Sequence, residues 1–258
     1  MGSVQDLLVE RTKRFRDECS ALQSTLEQHA LVAHATNPLD YAWPLHEQYL
    51  TKWAGLGAKT ILLGMNPGPF GMAQSGVPFG ATQCVREFLD IKPVQLQTPK
   101  NAHPKRQIEG LSLERQEISG TRIWNLMQEE YGSPEACFSH LFVVNHCPLL
   151  LLGERGQNIT PDQLPKSLLE PLMQTCDLYL KDLVDILSIE RIIGVGKYAE
   201  RRASLVFKAK KGAGEKDDGT PILIQTVWHP SPASPLANRN NGEDWKQNVL
   251  AVLHQKPE

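Results

Sequence analysis

KTILLGMNPGPFGMAQSGVPFG, residues 59–80, begins as an apolar run of strand length and passes directly into a loop dense in glycine, proline and phenylalanine. A continuous apolar run that stops at such a loop is how a buried strand of a parallel sheet delivers a rigid segment to its carboxyl end. Across 64–71, Asn66 is the sole side chain able to form hydrogen bonds. Pro67 and Pro69 remove backbone donors around it, and the glycines let another molecule approach the main chain. The loop reads as a cradle that holds one amide still.

Outward from this strand the same pattern repeats. Further strands are expected at 138–145, 191–195 and 222–228. Helices are expected at 82–89, 119–131, 168–187, 197–207 and 243–254, and the apolar spacing over 4–34 predicts an amphipathic helix before them. Strands alternating with helices, with apolar runs of the fully buried type, define an α/β fold in three layers: a central four-stranded parallel sheet flanked by helices. Residues 92–120 hold prolines and lysines without a sustained period and read as an excursion from the core. Residues 210–219 are a solvated, turn-rich loop. The expected division is a helical N-terminal extension, 1–35, and one domain, 36–258.

With 41% hydrophobic residues, 258 residues can bury a sizeable core. A net charge of −2 argues against coating a polyanion by bulk electrostatics, so any such partner must meet a local basic patch. Residues 191–211 hold seven Lys or Arg against one acid, Glu200, which suits a solvated face at least as well as a nucleic-acid contact. Five cysteines without a CxxC pair give neither a metal cluster nor a disulfide framework, and read as reduced thiols of the cytosol or nucleus. No metal and no cofactor is expected. There is no apolar run long enough to span a bilayer, no signal-peptide pattern, and Asp6 stands where myristoylation needs Ser or Thr, so no membrane partner is expected.

Ligands of open parallel sheets bind at the carboxyl ends of the strands. There the sequence places Asn66, then Asn145 with His146, then Gly194 and Gly196, then His229: two amides and an imidazole, with no carboxylate. Paired-carboxylate hydrolysis is therefore excluded, and the chain has neither a GxSxG elbow nor a GxxxxGK[ST] phosphate loop. GVG at 194–196 is a fragment of a dinucleotide motif that a closely packed helix start also explains. His229 opens WHPSPASPLANR, stiffened by Pro230, Pro232 and Pro235. Taken singly, Asn66 suits a turn, His229 a structural hydrogen bond, and Phe70 and Phe79 core plugs.

Together, GMNPGPFGMAQSGVPFG at 64–80, FVVNHCPL at 142–149 and HPSPASP at 229–235 resemble the single-strand-selective monofunctional uracil-DNA glycosylases of the uracil-DNA glycosylase superfamily. HPKR at 103–106, EISGTRIW at 117–124, NITP at 158–161 and GVGKYAE at 194–200 add to the resemblance, which spans roughly 37–250. It implies an enzyme that extrudes a base from DNA and reads it by stacking and by its pairing edge. By resemblance, Phe79 stacks on uracil, Asn145 reads that edge, and Met65 and Gly68 line the pocket where a 5-hydroxymethyl group is also accepted. Phe70 joins this substrate-binding set. Asn66 orients a water and His229 donates toward the uracil O2. An amide cannot take a proton at neutral pH, so bond breaking must run ahead of water attack.

No lysine stands at these positions to form a Schiff base, so an uncut abasic site is the expected product. Pro230, Ser231, Pro232 and Ala233 are expected to enter the duplex, and Arg155, Gly156, Gln157 and Asn158 to form a second DNA-facing stretch. The family pattern has Arg after HPSP, whereas this chain has the small, uncharged Ala233, followed by Ser234 rather than Asn. The partner implied is uracil-containing DNA, single- or double-stranded, met by a monomer in the nucleus. Two alternatives remain: a mismatch-directed uracil or thymine glycosylase, whose last motif lacks His, and a non-catalytic damage-binding module.

Overall fold

The computed structural model describes residues 2–255; Met1 and 256–258, the outer ends of the two expected segments, lie outside the described residues. The strands are β1 (His34–Thr36), β2 (Thr60–Gly64), β3 (Leu141–Asn145), β4 (Leu150–Leu152), β5 (Asn158–Ile159), β6 (Arg191–Val195), β7 (Ala213–Glu215) and β8 (Pro221–Val227). Five of them form one sheet in the order β3-β2-β6-β8-β7. β3, β2, β6 and β8 run parallel, and these are the four strands expected; β7 adds an antiparallel edge through the 210–219 loop. β2 is buried at every residue, as its unbroken apolar run requires of a strand covered on both faces.

The register brings the strand ends level. Gly64 pairs with Asn145, Leu63 with Gly194, and Val195 with Val227. The backbone of His146 and Cys147 extends the β2–β3 ladder by donating to the carbonyls of Gly64 (3.0 Å) and Met65 (2.9 Å). The motif loop, Asn145 and the His229 segment therefore leave the sheet on one side.

Three features depart from the expected pattern. The strand expected from residue 138 starts at Leu141, because Ser133 caps a helix, Pro134–His140, with Pro134 at its first turn. A helix at Trp43–Trp53 occupies the aromatic stretch before β2. A second, antiparallel sheet, β1-β4-β5, forms from segments too short to show a period.

The N-terminal helix, Val4–Ser20, opens with a capping box between Ser3 and Asp6. Leu8, Phe15 and Cys19 are fully buried in the same cluster as the sheet residues. The Phe15 ring stacks on Tyr179 of the Lys166–Ile186 helix at 3.9 Å between centroids. This segment is thus packed into the body of the protein. No helix among the described residues is long and apolar enough to cross a membrane.

Candidate active site

Beyond the ends of β2, β3 and β8 lies a cavity of about 430 Å³, within the range of roughly 300–1,000 Å³ usual for small-ligand sites. Met65, Asn66 and Gly68 reach it from the loop after β2, Asn145 from the end of β3, and His229 and Ser231 from the segment after β8. Phe79 lines it from the far end of the motif loop. Phe70, expected with this set, does not line it. Its ring lies beneath Arg115, 3.7 Å from guanidinium to ring centroid, and near Arg106 at 5.0 Å, because a phenyl face exposed beside two arginines is best covered by them.

Gly64 explains why the strand ends in glycine. A Cβ there would stand 2.1 Å from Asn145 Oδ1 and 2.7 Å from Phe79 Cε2. The amide and the ring therefore both rest on the bare backbone of β2. Phe79 has a φ of 52°, a conformation that costs a non-glycine residue free energy. It is held there by its carbonyl, which accepts from Trp124 Nε1 at 3.1 Å. Gly120 admits that carbonyl, since a Cβ there would meet it at 2.1 Å.

Asn66 is held loosely, its Nδ2 3.4 Å from both Pro67 O and Asn158 Oδ1. His229 is fixed more firmly. The Ser231 N–H donates to its Nδ1 at 3.1 Å, so the neutral ring carries its proton on Nε2. Burial lowers its pKa below the ordinary 6.5 and favours that neutral form. Trp228, just before it, is anchored by donating its N–H to Asn248 at 2.8 Å and accepting from Trp245 Nε1 at 2.9 Å.

The expectation of a site without a carboxyl is corrected: Glu117 lines the cavity. It stands at the start of the Ile118–Tyr131 helix, so a survey of strand ends passes over it. The motif EISGTRIW contained it, without a role. Burial pushes its carboxyl up to about 7. His146 turns away from the cavity, its buried Nε2 2.8 Å from Asp177 Oδ1, which also accepts from Arg202 Nε at 2.7 Å. Gly194 serves packing, since a Cβ there would lie 2.4 Å from the Glu200 nitrogen of the helix behind it. Arg191 and Arg202 are likewise engaged within the fold, Arg191 with the Gln255 carbonyl at 2.8 Å, which removes both from a nucleic-acid footprint.

Arg155 and Gln157 are exposed at the β4–β5 turn, while Gly156 is buried and gives its carbonyl to Arg106 at 2.8 Å. Asn158 points inward to the cavity. Of the segment after β8, Pro232 and Ala233 are exposed, Ser231 lines the cavity, and Pro230 is buried, its carbonyl accepting from Arg122 Nη1 at 2.8 Å. Arg122 Nη2 also donates to Asn238 Oδ1 at 3.0 Å, and Asn238 Nδ2 donates to Pro232 O at 2.7 Å, which clamps the segment. Among the described residues, no group of His, Cys, Asp or Glu side chains forms a metal-type cluster.

Residues 52–254 match the family model of the uracil DNA glycosylase superfamily. The chain is 40% identical over 238 residues to a single-strand selective monofunctional uracil DNA glycosylase of Bos taurus, covering 92% of this chain and 82% of that one. It is 43% identical over 203 residues to the similarly named Rattus norvegicus protein, covering 79% and 70%. The crystal structure of wild-type Pedobacter heparinus SMUG2 superposes with a TM-score of 0.60 at 14% identity over 98% of this chain and 96% of that one, a likeness of fold. The chain belongs to the uracil DNA glycosylase superfamily and, within it, to the single-strand selective monofunctional uracil DNA glycosylases.

Proposed function

We propose that this protein takes uracil out of the DNA stack and hydrolyses its glycosidic bond, leaving an abasic site in an uncut strand. One observation carries the reading: Asn66, Asn145, His229 and the Phe79 ring converge on a single base-sized cavity. Phe79 provides the stacking face for the extruded base. The Asn145 amide, donor and acceptor together, pairs with N3–H and O4. His229 Nε2–H meets O2.

As the N1–C1′ bond breaks, its electron pair passes to the base and spreads to O2, where the neutral His229 stabilises it. C1′ becomes oxocarbenium-like, and the oxygen of a water oriented by Asn66 bonds to it. That water releases one proton to solvent, and the uracil anion later takes one up. No lysine lines the cavity among the described residues, which agrees with hydrolysis rather than Schiff-base chemistry and hence with an uncut strand.

The same pocket accepts 5-hydroxymethyluracil, and the exposed Arg155, Gln157, Pro232 and Ala233 face the DNA, single- or double-stranded. The protein acts as a monomer in the nucleus. The test is chromatographic detection of free uracil after incubation with a uracil-bearing single strand. Wild type is expected to release it and the Asn66→Ala and His229→Leu variants to be crippled; equal release by all three would overturn the assignment.

A further inference from the structure

HPKR, residues 103–106, lies in the excursion and has no part in the mechanism above. Its two end residues grip the turn between β4 and β5. The buried His103 donates from Nε2 to the Glu154 carbonyl at 3.0 Å, in the tautomer fixed by the Lys105 N–H, which donates to its Nδ1 at 3.0 Å. Arg106 donates from Nε to the Gly156 carbonyl at 2.8 Å. Gly156 makes room for both: its φ is 76°, and a Cβ there would stand 3.1 Å from His103 Cε1 and 3.4 Å from Arg106 Nε. The Arg106 guanidinium also lies over the Phe70 ring, 5.0 Å from its centroid. One side chain therefore joins the β4–β5 turn to the motif loop.

On the uracil reading above, on which this inference rests, the motif loop must hold Asn66 where its water can reach C1′. The immediate contacts of Asn66 do not do so firmly. Its Nδ2 lies 3.4 Å from Pro67 O and from Asn158 Oδ1, and Asn158 Nδ2 lies 3.4 Å from Pro67 O, all longer than the roughly 2.9–3.0 Å of a good N–H···O bond. The two amides are placed instead by the segments that carry them. Between Asn66 and Phe70 stand Pro67 and Pro69, whose fixed φ angles carry a constraint at Phe70 back to Asn66. Between Gly156 and Asn158 stands Gln157 alone. Gln74, 1% exposed, adds a second tie between the excursion and the loop, its Nε2 donating to Pro69 O at 3.0 Å and Gln107 O at 2.9 Å.

We propose that Arg106 is a positioning residue for excision: by clipping the Phe70 ring to the Gly156 carbonyl it holds the motif loop against the β4–β5 turn, and so holds Asn66 and its water in reach of the sugar. A misplacement of about 1 Å can cost roughly 100-fold in rate. A loosened clip therefore appears as lost rate, with binding retained.

The experiment is single-turnover excision of uracil from a single-stranded oligonucleotide at saturating protein, for wild type, Arg106→Ala, Phe70→Leu, the double variant, and Asn66→Ala with and without Arg106→Ala. Melting temperatures and dissociation constants for the same strand lacking uracil, across a salt series, are measured alongside. Phe70→Leu leaves the Gly156 bond in place, so it carries the test if Arg106→Ala does not fold. Each single change at the clip is expected to lower the rate about tenfold, with affinity within about threefold and an unchanged salt dependence. The double variant is expected to fall no further than the worse single one, since the two residues act as a unit. Within Asn66→Ala, adding Arg106→Ala is expected to change nothing, because the water that it positions is already lost. An unchanged rate with weaker, less salt-sensitive binding would make Arg106 a phosphate ligand and overturn the proposal. A further tenfold fall within Asn66→Ala would overturn it as well, while the glycosylase reading stands. A wild type that releases no uracil overturns that reading itself.

Discussion

The Ser231 backbone N–H donates to His229 Nδ1 at 3.1 Å. The bond is satisfied only while that nitrogen carries a lone pair, so it selects the neutral ring with Nε2–H as the donor. Protonation would set two N–H groups against each other.

The pH dependence follows from this contact. Burial lowers the His229 pKa from 6.5, so excision should stay level through neutral pH and fall on acidification with an apparent pKa below 6.5. For stability the sign is the same: the folded state holds the proton less readily than the unfolded chain, so this residue costs stability as pH falls below about 6.5 and costs nothing above. A pH series of single-turnover rates alongside thermal melting checks both. His229→Leu should lower the rate by about 100- to 1,000-fold and remove the acid limb.

Asn66 should separate chemistry from stability. Its amide makes contacts of only 3.4 Å, so Asn66→Ala should leave the melting temperature nearly unchanged. Excision should fall by about 100-fold or more, the cost of a misplaced nucleophile. Melting and rate measured on one preparation test the pair of outcomes.

Gly64→Ala should damage base recognition. A methyl group 2.1 Å from Asn145 Oδ1 and 2.7 Å from Phe79 Cε2 must push both from the cavity wall. Overpacking of this kind costs about 1–3 kcal/mol of stability. Binding of free uracil, followed by calorimetry, should be lost in a protein that still folds.

The N-terminal helix should behave as core. Phe15, 1% exposed and stacked on Tyr179, should cost about 3–5 kcal/mol when changed to Ala. Denaturant unfolding measures this directly; a change under about 1 kcal/mol would mark the helix as a dispensable extension.

Ala233 is exposed and holds the chain only through its N–H, which donates to Ser231 Oγ at 3.2 Å. Ala233→Arg should therefore be tolerated, strengthen duplex binding, and steepen its salt dependence by about one phosphate contact. Binding to a duplex across a salt series reports it, with single-strand excision unchanged.

The four parallel strands were legible because each is an apolar-rich run of strand length between helical patterns, unbroken in β2 and interrupted by Gln225 and Thr226 in β8, and Asn66, Asn145 and His229 because each stands at or just beyond the end of such a run. β1, β4 and β5 were not, since two- and three-residue strands carry no period and form only once β1 and β4 meet across the fold. Glu117 was hidden for a related reason. Its place in the cavity depends on the helix start lying against Gly68 and Gly71, a contact between distant segments that no local spacing encodes. Phe70 misled because its loop matches a base-binding motif, whereas its ring is claimed by Arg115 and Arg106 from the excursion.

The central claim is base removal without strand cutting, and one measurement meets it most directly. A labelled single strand with one uracil is incubated with the protein, divided, and run on a denaturing gel with and without hot alkali. A full-length strand that alkali cuts at the uracil position is the predicted result. A strand cut without alkali, or one that stays intact in alkali while the protein still binds it, would contradict the account.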